Sequence, residues 1–98
     1  MKIKIINEFS KWFKNQKDYL LKTKILKRLD QIEQGNFGDF KTIGDGVSEL
    51  RINYGPGYRI YYTIRGNMVV ILLCGGDKSS QKSDIEKAKG LCKGVTIQ

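Results

Sequence analysis

The stretch Ser48-Glu49-Leu50-Arg51-Ile52-Asn53-Tyr54-Gly55-Pro56-Gly57-Tyr58-Arg59-Ile60-Tyr61-Tyr62-Thr63-Ile64-Arg65 decides the fold. Leu50, Ile52 and Tyr54 alternate with Glu49, Arg51 and Asn53, and beyond the turn Tyr58, Ile60, Tyr62 and Ile64 alternate with Arg59, Tyr61, Thr63 and Arg65. Successive side chains of a strand point to opposite faces of its sheet, so a period of two marks a strand with one face buried. Gly55-Pro56-Gly57 turns the first strand back on the second as an antiparallel pair. If neither strand is bulged, parity puts Arg51, Arg59, Tyr61 and Arg65 on the face opposite Ile52, Ile60 and Tyr62. That predicts a cationic outer face.

Outward from this pair, Gly66-Asn67 closes a second hairpin into residues 68–74, which are apolar on both faces. Such a run suits a central strand, covered by helices on one side and by something else or by neighbours on the other. Gly75-Gly76 interrupts it, and a last helix begins near Ser80 with Ile85, Ala88, Leu91 and Cys92 facing inwards. Upstream, residues 36–47 form an extended connection that Phe37, Phe40 and Ile43 tack to the core. Residues 2–6 form a short strand, and Asn7 caps a helix carrying Phe9, Trp12 and Phe13. After a break at 15–18, Asp18 caps a second helix with Leu21, Ile25, Leu29 and Ile32 on one stripe, ended by Gly35. The expected fold is α+β: an N-terminal helical hairpin packed on an antiparallel sheet with a short C-terminal helix, the helices on one sheet face, in one domain spanning 1–98.

Charge narrows the function. The chain has 98 residues, 18 Lys plus Arg against 10 Asp plus Glu, a net charge of +8 and no histidine. Seven of the basic residues lie between Lys11 and Arg28, against one acid, Asp18. A balance of this kind attracts polyanions, although for the helical part a solvated lysine face is the favoured reading over a groove-binding helix. Lacking histidine, the chain holds no histidine-based hydrolase triad, and its two cysteines, Cys74 and Cys92, are too few for a zinc site; no metal or cofactor is expected. Both cysteines read as small buried hydrophobes. The longest apolar run is too short to span a bilayer, so a cytoplasmic location is expected.

Arginine forks hold phosphates bidentately and a tyrosine can stack on a base, so the face bearing Arg51, Arg59, Tyr61 and Arg65 suits single-stranded RNA; the alternative is a solvated outer sheet face. Lys78 follows two glycines at a strand-to-helix turn, where backbone N–H groups and an ammonium can meet an anion. The spacing of a nucleotide-binding phosphate loop is absent.

The ordered series Ser48-Glu49-Leu50-Arg51-Ile52, Tyr54-Gly55-Pro56-Gly57-Tyr58-Arg59-Ile60-Tyr61-Tyr62 and Leu72-Leu73-Cys74-Gly75-Gly76-Asp77-Lys78-Ser79-Ser80-Gln81 resembles the HigB-type addiction-module killer proteins of the RelE/ParE toxin superfamily. Gly35-Asn36-Phe37-Gly38-Asp39 and Gly44-Asp45-Gly46-Val47 fit the same subgroup, so the resemblance covers nearly the whole chain. It implies a RelE-like fold and the toxin of a type II toxin–antitoxin pair. RelE-like members cleave mRNA in the ribosomal A site, ParE-like members inhibit DNA gyrase, and a non-catalytic member would only bind its antitoxin. For an mRNA interferase, the resemblance assigns Arg59 to the scissile phosphate, Arg51 to the same charge, and Lys78 to the transition state or the leaving 5′ oxygen. Tyr61, Arg65 and Glu49 are then expected on the RNA, and Glu49, Tyr61 or a lysine is the candidate base, because no histidine or tyrosine follows Tyr62. The implied partners are mRNA on the ribosome and an acidic antitoxin with a helix-turn-helix domain, held with the toxin as a hetero-oligomer.

Overall fold

The computed structural model describes residues 1–95. Five strands form one sheet: β1 (Lys2–Ile5), β2 (Phe40–Gly44), β3 (Val47–Ile52), β4 (Tyr58–Arg65) and β5 (Val69–Asp77), in the spatial order β1-β5-β4-β3-β2. β1 runs parallel to β5 and the other neighbours are antiparallel, so the sheet is mixed rather than antiparallel throughout. The connection expected at 36–47 contains the edge strand β2, hidden from a periodicity reading by its flanking glycines and its exposure.

Helices α1 (Asn7–Lys14) and α2 (Tyr19–Glu33) cover one face. Phe9, Leu21, Ile25, Leu29 and Ile32 meet Leu50, Ile52, Ile60, Tyr62, Val70 and Leu72 in a single core cluster. This is the face that alternation in β3 and β4 assigned to the interior. The C-terminal helix α3 (Gln81–Gly94), however, does not join α1 and α2; it packs on the opposite face. There Ala88 and Cys92 close a second cluster with Val47, Tyr61, Ile71, Leu73 and Cys74. The arrangement has three layers. A bulge makes the second cluster possible: Tyr61 pairs with Cys74 but Tyr62 with Leu72, so both Leu73 and Cys74 reach the α3 face.

Local chemistry sets the ends of these elements. Gly66 and Asn67 both take left-handed backbone (φ of 60° each), as a two-residue hairpin turn of the primed type requires. Asn7 does not cap α1; it is the first helical residue, and the capping position falls to Ile6, which makes no side-chain cap. Asp18 does cap α2, its Oδ1 accepting from the N–H groups of Leu20 (3.0 Å) and Leu21 (3.2 Å), while Oδ2 accepts from the Tyr54 hydroxyl at 2.7 Å. The Tyr54 hydroxyl, then the Leu21 and Leu20 amides, hold the Asp18 carboxyl below its ordinary value. A group with a depressed folded pKa contributes stability above its unfolded value, about 3.9, and loses it as pH falls through the folded value. Asp18→Ala should therefore lower the melting temperature by a constant margin from pH 7 to 5, and that margin should shrink below about pH 4. A margin unchanged down to pH 2 would contradict this linkage. Among the described residues no helix is long and apolar enough to cross a membrane.

Candidate functional site

Antiparallel register places Arg51 directly opposite Arg59, and Glu49 opposite Tyr61. Arg59 in turn faces Gly76 of β5. The two arginines stand where β3 and β4 emerge from beneath α3, in a cleft lined by Asp39, Arg51, Ile52, Asn53, Gly57, Tyr58 and Arg59. Arg51 keeps 41% of its side chain exposed and pairs with Asp39 at 3.1 Å. Arg59 is more enclosed, at 14%. Its Nη1 donates to the Gly57 carbonyl at 3.0 Å, and its Nε lies 3.5 Å from Glu49 Oε1. Glu49 Oε2 accepts from the Gln81 side-chain amide at 2.9 Å, tying the first turn of α3 to the carboxylate that backs Arg59.

Lys78 opens a single 3-10 turn (Lys78–Ser80) at the end of β5 and is exposed. Asp77 caps that turn, accepting from the N–H of Ser79 at 2.8 Å and from its hydroxyl. These bonds to Ser79 hold the Asp77 carboxyl below its ordinary value, with the Arg59 charge adding to them. Gly57 brings Lys78 and Arg59 to one place: a Cβ on it would sit 3.6 Å from Arg59 Nη1 and 3.8 Å from Lys78 Cβ. With φ at 84° its backbone is in the left-handed region that favours glycine. Arg51, Arg59 and Lys78 are thus gathered on one side of the molecule.

The remaining three candidates are placed differently. Tyr61 is completely buried beneath α3, its hydroxyl without a hydrogen-bond partner, and burial followed by the charges of Glu49 and Asp84 pushes its pKa far above the ordinary value. It presents no ring to a base and cannot act as a proton acceptor near neutral pH. Glu49, 1% exposed, backs Arg59 rather than facing RNA. Arg65 lies at the far end of β4, where its guanidinium donates to Thr63 Oγ1 (2.7 Å) and to the Cys92 carbonyl (3.2 Å), fastening the end of α3. The open cationic face expected from parity is therefore a correction: the parity holds, but α3 covers the middle of that face, burying Tyr61 and Glu49, and leaves the Arg51–Arg59 end partly accessible. Alternation reports which residues share a face, not what covers it.

Three residues of the site escaped the sequence reading. Asp39 pairs with Arg51, Gln81 holds the Glu49 carboxylate that backs Arg59, and Arg28 of α2 donates to the carbonyls of Arg51 (2.5 Å), Phe37 (3.0 Å) and Asp39 (3.3 Å), which fixes the cleft wall. No spacing rule could find them, since each acts across more than one element. Among the described residues no group of three or more His, Cys, Asp or Glu could hold a metal ion.

The chain matches the family described as "Phage derived protein Gp49-like (DUF891)" over residues 11–93, a span that contains α2, the cleft, Lys78 and nearly all of α3. It is 46% identical over 89 residues to an uncharacterized protein of Haemophilus influenzae, covering 91% of this chain and 90% of that protein. The chain belongs to the Gp49-like phage-derived protein family, a RelE-type, toxin-like family.

Proposed function

We propose that the chain is a HigB-type toxin of a type II toxin–antitoxin pair and acts as a ribosome-dependent mRNA endonuclease. The observation carrying this reading is the pairing of Arg51 and Arg59 directly opposite each other in one cleft, with the turn bearing Lys78 beside Gly57 at its edge. Cationic side chains beside a phosphate stabilise the charge that builds during transesterification of RNA. The 2′ oxygen bonds to the adjacent phosphorus, the bond to the 5′ oxygen breaks, and its electron pair leaves with that oxygen. Arg59 and Arg51 balance the charge that builds on the phosphoryl oxygens, and Lys78 donates the proton to the departing 5′ oxygen. With Glu49 and Tyr61 buried, the 2′-hydroxyl proton passes to solvent. An acidic antitoxin carrying a helix-turn-helix domain would silence the cleft by neutralising it within a hetero-oligomer.

Expression of the wild type and of Arg59→Ala in cells, with mapping of transcript 5′ ends, tests the reading. New ends and growth arrest are expected in the wild type, and a loss of both by about 100-fold or more in the variant, the scale of removing one transition-state donor. Intact transcripts in arrested wild-type cells would sink it. The burial of both Glu49 and Tyr61 favours, as a second reading, a gyrase-directed inhibitor that needs no proton transfer. In that case the purified protein would block gyrase supercoiling.

A further inference from the structure

A second hollow, lined by Lys24, Lys27, Arg28, Gln31, Ile52 and Asn53, adjoins the arginine cleft and shares Ile52 and Asn53 with it. Together they form a groove running from Arg51 and Arg59 onto α2. The neighbouring aromatic pair is Tyr54 and Tyr58, with ring centroids 6.4 Å apart and planes 25° from parallel. Tyr58 lines the cleft, and Lys24 Nζ stands 5.5 Å from the Tyr54 ring centre. Lys24 and Lys27 are exposed, and among the described residues neither forms an ion pair. Two nearby carboxylates are already engaged, Asp39 by Arg51 and Asp18 by the α2 amides and the Tyr54 hydroxyl.

We infer that this groove is the track for the single-stranded RNA flanking the reactive phosphate, with backbone phosphates on Lys24 and Lys27 and bases against Tyr58 and Tyr54. The inference rests on the RNA-directed reading above and extends it along the strand. Unpaired cations beside partly exposed aromatic rings are the combination that binds single strands with little sequence preference: phosphates release counterions to lysine, and every base offers a face for stacking. An acidic peptide would use the lysines but has no need of the tyrosine pair. Binding should therefore be tight for mixed sequences and steeply salt-dependent.

The test uses a fluorescein-labelled mixed-sequence 12-mer RNA with 2′-O-methyl sugars, which binds without being cut, followed by anisotropy across a potassium chloride series. Lys24→Glu/Lys27→Glu is compared with the wild type and with Lys2→Glu/Lys4→Glu, which makes the same change in net charge on β1. The α2 variant is expected to bind at least about 10-fold more weakly, with a logarithmic salt slope shallower by about 1.4, two phosphates' worth for a single strand. The β1 variant should change affinity by less than about threefold, because its lysines lie outside the groove. Equal loss in both variants, no binding by the wild type, or undiminished binding by the α2 variant would each overturn the track. So would a variant that keeps RNA but no longer retains an acidic protein partner, which would make the groove a protein-docking site. Transcript-end mapping separates the two claims: wild-type cleavage with an unaffected α2 variant removes the track and leaves the endonuclease, whereas RNA held in the groove without new ends does the reverse.

Discussion

Gly75→Ala is expected to unfold about 8–16 °C below the wild type, the equivalent of about 2 kcal/mol of overpacking in a domain of this size. A Cβ at this position would stand 2.5 Å from Trp12 Cε3 and 2.6 Å from Cδ2, inside any permitted contact. The obstacle is a rigid indole packed into the α1–α2 core beside Phe9, so it cannot yield by turning a flexible chain end. Backbone strain plays no part, because Gly75 is absent from the positive-φ residues. On the other sheet face Gly76 lies against Asp84, whose Oδ2 accepts from Ser80 Oγ at 2.5 Å. Gly76→Ala should cost less, since the obstacle is the carboxylate end of Asp84, which can turn aside by giving up its bond to Ser80, but should loosen the start of α3. Thermal melts followed by circular dichroism check both. A Gly75→Ala variant melting within about 2 °C of the wild type would refute the close-packing argument, because that shift is worth under 0.5 kcal/mol.

These two glycines show where reading the chain alone reached its limit. Gly75-Gly76 looked like the end of an apolar strand, yet β5 continues through both to Asp77. Absence of a side chain signalled close approach by α1 on one face and α3 on the other, which no local pattern distinguishes from a break. The helices were legible because Leu21, Ile25, Leu29 and Ile32 keep a helical period and Asp18 supplies a cap. β3 and β4 were legible because their alternation is regular. The layer formed by α3 was foreshadowed twice without being resolved: residues 68–74 are apolar on both faces, and Ile85, Ala88 and Cys92 needed an apolar surface of their own. What hid it was the bulge at Leu73 and Cys74, which breaks parity in β5 where α3 lands. The site divides along the same line. Arg51, Arg59 and Lys78 follow from strand register and a turn, whereas the burial of Tyr61 and Glu49 depends on that unforeseen layer.

Replacing Glu49 by Met is expected to destabilise the protein by about 3 kcal/mol, and the double variant Glu49→Met/Arg59→Met to recover most of that loss. The side chains are 2% and 14% exposed, so both charges have left most of their water behind. At 3.5 Å, with Arg59 Nε making no hydrogen bond, the contact between them is coulombic rather than directional. Its worth is therefore the neutralisation of a mostly buried guanidinium, and removing the carboxylate strands that charge in the enclosed part of the cleft. Removing both charges abolishes the desolvation cost together with the attraction and leaves two apolar side chains on the face of Tyr61, which pairs with position 49. Gln81 loses its acceptor in either variant, but its half-exposed amide can turn to water. Equilibrium urea unfolding of the wild type, both single variants and the double variant closes the cycle. A Glu49→Met variant within about 0.5 kcal/mol of the wild type, at the level of a neutral surface substitution, would mean the carboxylate does not hold Arg59. A double variant no more stable than Glu49→Met would locate the cost in packing rather than charge. The expected pattern, a costly single change and a tolerated double one, would mean that Glu49 is retained at this position for the cation it keeps at the cleft and not for the stability of the sheet.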